Sequence, residues 1–181
     1  DDLFEDAALD AYFTGVLHAL LPKALPDAAP KPRAFVVRST DLQAGTSPNG
    51  AIYLSLGLLA ALENEAQLAA LLGHELGHFL GRHSLIEQRY ERLSKSTVER
   101  ANLSRAHEHD ADRTGLELMR AAGYAPAEAP RLLALMRNED FSNRTPHPAW
   151  ESHPYVEARV QRLEESIRPG EDGKREAGRY E

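Results

Sequence analysis

His74-Glu75-Leu76-Gly77-His78 lies inside a long, apolar, proline-free segment that reads as one helix. Residues four apart share a helix face, so His74 and His78 present two imidazoles to one point. Two neutral imidazoles on one face suit a divalent metal such as zinc. Glu75, one residue round from His74, reaches a water beside the metal rather than the metal itself, which is the place of a general base. Leu68, Leu71, Leu72, Leu76, Phe79 and Leu80 surround the motif with apolar side chains. The helix is therefore expected to be mostly buried, and buried histidines and a buried glutamate are costly unless paired or metal-bound. That argues against two solvated histidines on an exposed face.

Working back from the motif, Asn64 reads as the N-cap, with Gln67 at the capping-box position, and the helix runs to about residue 84. A short helix is expected over 56 to 62. Residues 33 to 38 and 51 to 55 read as strands, and Ser47-Pro48-Asn49-Gly50 between them is turn chemistry. Residues 3 to 22 read as an amphipathic helix on the stripe Phe13, Val16, Leu17, Leu20 and Leu21. His18 is read there as a packed helix residue rather than a ligand. Pro22, Pro26, Pro30 and Pro32 make a loop.

Working forward, residues 85 to 106 are charged and helix-compatible. A helix over 107 to 122 ends at Gly123, another covers about 126 to 138, and 139 to 152 reads as a polar loop. A last helix begins with Pro154 at its first position and carries Val156, Val160 and Leu163. The tail after Ile167 is charged and Gly-containing and is expected to be disordered. The sequence thus reads as one α+β domain over 1 to 168, mainly helical with a small edge-stranded sheet, followed by a tail at 169 to 181.

A catalytic zinc site usually has three protein ligands. His83 is near, but an HExxHxxGxxH motif needs its third His at 84, where Ser84 stands. On a continuing helix His83 also points off the ligand face. Glu108 is the better candidate, because Asp112 follows one turn on and can accept the outer N–H of a metal-bound His. His107 and His109 are rival ligands that spacing alone does not exclude. A solvated acidic helix start is the plainer reading of this cluster; the HExxH motif tips the choice to a ligand.

Composition sets limits. The 181 residues suffice for a sizeable core, and 42% hydrophobic with 27% charged residues is ordinary for a globular protein. A net charge of -7, with no Lys/Arg cluster, argues against a nucleic-acid partner. No stretch approaches about 20 consecutive apolar residues, so no membrane span is expected. With no Cys, a metal must use His and carboxylates. The chain opens on Asp1-Asp2 without a charged and then apolar leader. A removed signal or anchor and a fragment both fit that start, so membrane association is expected only through such an anchor or a missing segment. Oligomeric state is not encoded.

Several further motifs in order resemble one family. HELGHFLGRHS at 74 to 84 is similar to the active-site helix of gluzincins and, more narrowly, of the HtpX and CAAX prenyl proteases (peptidase family M48). Glu108 to Asp112 with Arg113-Thr114-Gly115 resembles its ExxxD helix, and Leu116 to Tyr124 the apolar helix that follows. His153-Pro154 with Arg159 resembles its late HPxxxxR motif. Asn49-Gly50-Ala51-Ile52-Tyr53-Leu54 resembles its Gly-then-strand entry. Together these cover about residues 33 to 165.

The resemblance implies a zincin-like fold and one Zn2+ held by His74, His78 and Glu108, with Glu75 as base. It implies a polypeptide substrate lying antiparallel along an edge strand near 42 to 47, at Ala44, Gly45 and Thr46. It gives His153 and Arg159 a site role in holding the oxyanion, or makes His153 a fourth ligand in a latent form; His147 is a rival for His153. It implies an endopeptidase acting on unfolded or extended chains in protein quality control, exported or periplasmic. A latent, metal-bound, chaperone-like or partner-binding module is the alternative, and a metal-free HExxH a third reading. Two departures stand out. Gln43-Ala44-Gly45 replaces the family's usual Asn-Ala-Phe-like strand start. The gap from His78 to Glu108 is also short, as in a minimal protease with an open cleft, or in a chain missing a segment between about Lys95 and Arg105.

Overall fold

A computed structural model describes residues 2–21, 31–93, 96–142 and 156–175, with the backbone alone at 138–142. The proline loop from Pro22 to Pro30, and the stretch holding His147, His153 and Pro154, lie outside the described residues.

The first helix, α1 (Ala7–Leu20), buries Phe13, Val16, Leu17 and Leu20, the expected stripe. It begins later than the periodicity suggests, because the Asp6 carboxylate accepts from the N–H groups of Ala8 and Leu9 and caps it. Leu3 instead bridges to Val37. His18 is exposed on α1, which corrects its reading as a packed residue.

Three strands follow: β1 (Arg33–Val37), β2 (Ala44–Thr46) and β3 (Ala51–Ser55). Their order is β1-β3-β2, with β1 parallel and β2 antiparallel to β3. Among the described residues the three-residue β2 therefore forms one edge of the sheet. The chain turns from β2 into β3 at Gly50, whose φ of +86° suits glycine. Ser55 caps the short α2 (Leu56–Ala61).

The motif helix is α3 (Glu65–Leu80). The Asn64 side chain accepts from the Gln67 N–H, while the Gln67 side chain reaches back to the N–H of Glu63, one residue before the cap. Leu68, Leu72 and Leu76 are fully buried along its centre. The helix ends at Leu80 rather than 84: Gly81 caps it, Arg82 takes a φ of +54°, and α4 (His83–Leu93) starts afresh.

From its Ser96 cap, α5 (Thr97–Ala121) runs ten residues ahead of the expected start at 107. The added turns are charged but hold no Gly or Pro, so nothing there stops a helix. The junction suspected between Lys95 and Arg105 is thus helical from Thr97 onward. Gly123, at φ +78°, closes the end as expected. Among the described residues the last two helices are α6 (Glu128–Ser142), longer than expected, and α7 (Val156–Ser166).

The stretch at 169–175, expected to be disordered, packs instead. Lys174 exchanges backbone hydrogen bonds with Gly123 and Ala125, Ala66 donates to the Arg175 carbonyl, and Arg120 pairs with Glu171. Residues 176–181 lie outside the described part. The architecture is α+β and mainly helical, and among the described residues no helix is long and apolar enough to cross a membrane.

Glycines set the separation of α3 and α5, the most extensively packed pair of elements. A Cβ on Gly77 would lie 2.7 Å from the Ala111 Cα, and one on Gly115 would lie 2.8 Å from the His74 nitrogen. Both obstacles are backbone, so neither can swing aside. This close approach brings Glu108 on α5 within reach of His74 and His78 on α3. Gly77→Ala is expected to lower the unfolding free energy of the metal-free protein by about 1–3 kcal/mol through overpacking, measured in denaturant with chelator. A more stable variant, as helix propensity alone would give, would show that the helices have room.

Candidate metal centre

One group of His, Asp and Glu side chains among the described residues has metal-holding geometry, and it is His74, His78 and Glu108. His74 and His78 face each other one turn apart on α3, their Nε2 atoms 3.0 Å apart. Glu108, only 3% exposed on α5, brings its carboxylate within 3.2 Å of the His78 Nε2 and 3.5 Å of the His74 Nε2. The edges of a tetrahedron around zinc with bonds of about 2.0–2.1 Å are roughly 3.3–3.4 Å. The donor set therefore fits that ion in chemistry and in spacing.

The rival ligands turn elsewhere. His107 places its Nδ1 2.7 Å from Glu87, and His109 is exposed. The His74 Nδ1 sits 2.9 Å from an Asp112 oxygen. That contact fixes the proton on Nδ1 and leaves the Nε2 lone pair toward His78 and Glu108.

Arg159, 4% exposed on α7, closes the back of the site. Its Nε and Nη2 both donate to Asp112 at 2.7 Å, a forked contact, and its Nη1 lies 2.7 Å from Glu108. Burial and then the Arg159 charge hold His74 below the usual histidine range. Burial alone would raise Asp112. The Arg159 charge and hydrogen bonds, with His74, outweigh it and bring Asp112 down to about 2.

Glu75 is 1% exposed on the sheet side of α3. The Thr46 hydroxyl, on edge strand β2, lies 2.6 Å from one Glu75 carboxylate oxygen and donates to it. Ala44, Gly45 and Thr46 all lie in β2, and a side chain at Gly45 would meet open space. Gly45 is paired with Tyr53, with the Gln43 carbonyl and Ser47 N–H also turned to β3. By alternation the backbone groups of Ala44 and Thr46 point to the sheet's outer edge. A cavity of about 50 Å³, whose lining includes Leu116, Met119, Leu132, Leu133 and Met136, opens beside His74 and Glu75.

His83 is 4% exposed and sets its Nδ1 3.0 Å from the Nδ1 of His78, on the side of that ring away from the other ligands. Burial, then the neighbouring His107 and His78, push its pKa down to about 4. The structure thus brings together every sequence-derived site residue that it describes; His153 is not among them. Sequence reasoning missed the Thr46–Glu75 contact and the approach of His83 to His78. The first joins residues 29 apart in the chain and left no periodic signal. The second was signalled only by Gly81, which is a poor residue for a helix that continues.

The family described as Peptidase family M48 matches residues 7–98 and 93–167, two stretches that overlap where α4 gives way to α5. The chain is 24% identical over 191 aligned residues to the "Putative beta-barrel assembly-enhancing protease" of Vibrio cholerae serotype O1, covering 87% of this chain and 39% of that protein. It is 30% identical over 115 residues to the mitochondrial metalloendopeptidase OMA1 of Arabidopsis thaliana, covering 53% of this chain and 24% of that one. The chain thus spans well under half the length of either relative.

Proposed function

We propose, on the premise that this chain belongs to peptidase family M48, that it is a zinc-dependent endopeptidase cutting unfolded or extended polypeptides. The observation that carries this is the buried Glu75 carboxylate, oriented by Thr46 of edge strand β2 beside a two-His, one-Glu donor set.

His74, His78 and Glu108 would hold the zinc. Zinc bound there supplies Lewis acidity, which makes water acidic enough to attack at neutral pH and polarises a carbonyl. The substrate strand adds antiparallel to β2, meeting the outward backbone groups of Ala44 and Thr46. An apolar substrate side chain enters the cavity beside Glu75. Glu75 takes a proton from the attacking water and delivers it to the departing amine. Thr46 keeps the carboxylate aimed while this happens. Asp112 fixes the ring of His74, and Arg159 holds the carboxylates of Glu108 and Asp112, so we assign Arg159 a positioning role. His153 remains the candidate for holding the oxyanion.

The likeness to a protein named as a putative beta-barrel assembly-enhancing protease supports a quality-control task, and an exported, periplasmic setting is part of the same proposal. Incubation with casein tests the reading: cleavage is expected, is lost in chelator and returns with added zinc. A zinc-loaded protein that binds casein without cutting it would instead mark the latent, chaperone-like module. Metal-independent cutting would remove the zinc mechanism altogether.

A further inference from the structure

We propose that His83 is a positioning residue for the metal centre, fixing the ring of His78 through a relay that ends on Asp110. The proposal takes His78 as a metal ligand and adds what holds it in place.

The His78 Nε2 is turned to His74 and Glu108. Its other nitrogen, Nδ1, lies 3.0 Å from the His83 Nδ1. Two ring nitrogens at that distance share one proton. A His78 that offers its Nε2 lone pair to a metal carries its proton on Nδ1, so His78 donates and His83 accepts. The His83 proton then resides on Nε2, which lies 3.4 Å from an Asp110 carboxylate oxygen. In that order His78 N–H donates to His83, and the Asp110 carboxylate lies beside the His83 N–H as its charge partner.

The two zinc-facing histidines thus have outer partners of different kinds. Asp112 meets His74 directly. For His78 an imidazole is interposed before the carboxylate. The same geometry explains why His83 is no ligand for this ion: it touches the outer nitrogen of His78, not the inner one.

The backbone is bent to make this contact. A continuing helix would carry position 83 off the ligand face. Here α3 stops at Leu80, Arg82 adopts a φ of +54°, and the first residue of α4 swings its ring back. Left-handed backbone is unfavourable at a non-glycine residue. A Cβ on Gly81 would fall 2.3 Å from the His83 Nε2, so glycine leaves room for the ring. His83 is also clamped from the side. It stacks on His107 with centroids 4.1 Å apart and planes within 7°, and His107 is held by Glu87.

His83→Phe keeps the stacking volume and removes the acceptor. In chelator competition its zinc dissociation constant is expected to rise about 10–100-fold, while the metal-free protein unfolds at the same denaturant concentration as the parent. His83→Gln, which keeps an acceptor, is expected to recover part of that loss. An affinity within twofold of the parent in His83→Phe overturns the proposal. If His83→Phe destabilises the metal-free fold, Asp110→Asn decides: a weakening of threefold or more supports the relay, and unchanged affinity overturns it. A parent that binds zinc without cutting casein fails the endopeptidase reading and leaves this one standing. A parent that binds no zinc overturns both.

Discussion

Glu75→Gln is expected to retain zinc at one ion per chain and to lose peptide hydrolysis by about 10²–10⁴-fold in kcat, the usual worth of a placed general base. The substitution is close to isosteric, and Glu75 is fully buried, so volume matters. An amide oxygen still accepts from the Thr46 hydroxyl, which now meets the carboxylate at 2.6 Å. The side chain should therefore stay where it is. What disappears is the ability to take a proton. Because Glu75 is not among the donors at the metal centre, metal content by atomic emission should match the parent, and so should the zinc dissociation constant. The informative result is the pair: full metal, no turnover. Activity within tenfold of the parent would move the base to another residue. Lost metal would mean that Glu75 helps to build the donor set.

Legibility in the sequence followed the range of the interactions. His74, Glu75 and His78 sit on one helical turn, so their spacing alone placed them. Glu108 with Asp112 was readable for the same reason on a second helix. The meeting of the two helices was not readable, because it depends on Gly77 lying against the Ala111 backbone and Gly115 against the backbone of Gly73 and His74. His83 was judged against a helix that continues, and the chain breaks at Gly81 and Arg82. Its position moved from off the site to just behind it. The charged run ahead of residue 107 lacked an apolar stripe, so the long start of α5 was missed; Gly123 fixed its end. The packed stretch after 168 is held by Arg120, Gly123 and Ala66, all distant in the chain. Local composition reads such a segment as solvated, and only its partners say otherwise. Arg159 shows both sides of this. Its motif gave it a place at the site, but its partners came from α5, and its near-complete burial has no signature in an eleven-residue polar helix.

Arg159→Met is expected to destabilise the metal-free protein by about 3–5 kcal/mol in urea unfolding, the cost of breaking a buried ion cluster by removing one sign of charge. Glu108 and Asp112 stand one helical turn apart, Glu108 buried and Asp112 nearly so. The guanidinium between them is their shared cation. Without it, two carboxylates face each other in a low-dielectric site, and one must take up a proton or draw in water. Arg159→Lys keeps the charge but cannot repeat the fork on Asp112 while also reaching Glu108, so less than half of the loss should return. Zinc changes the comparison in a specific direction. A dication at His74, His78 and Glu108 neutralises one of the two uncompensated charges, so added zinc should stabilise Arg159→Met by more than it stabilises the parent, provided the site still closes. Unfolding curves in chelator and in excess zinc, for both proteins, give that difference directly. An oxyanion role for Arg159 predicts the opposite pattern: stability within about 1 kcal/mol of the parent in chelator, with kcat reduced. The two roles separate because one acts on the resting protein and the other only on the reacting substrate.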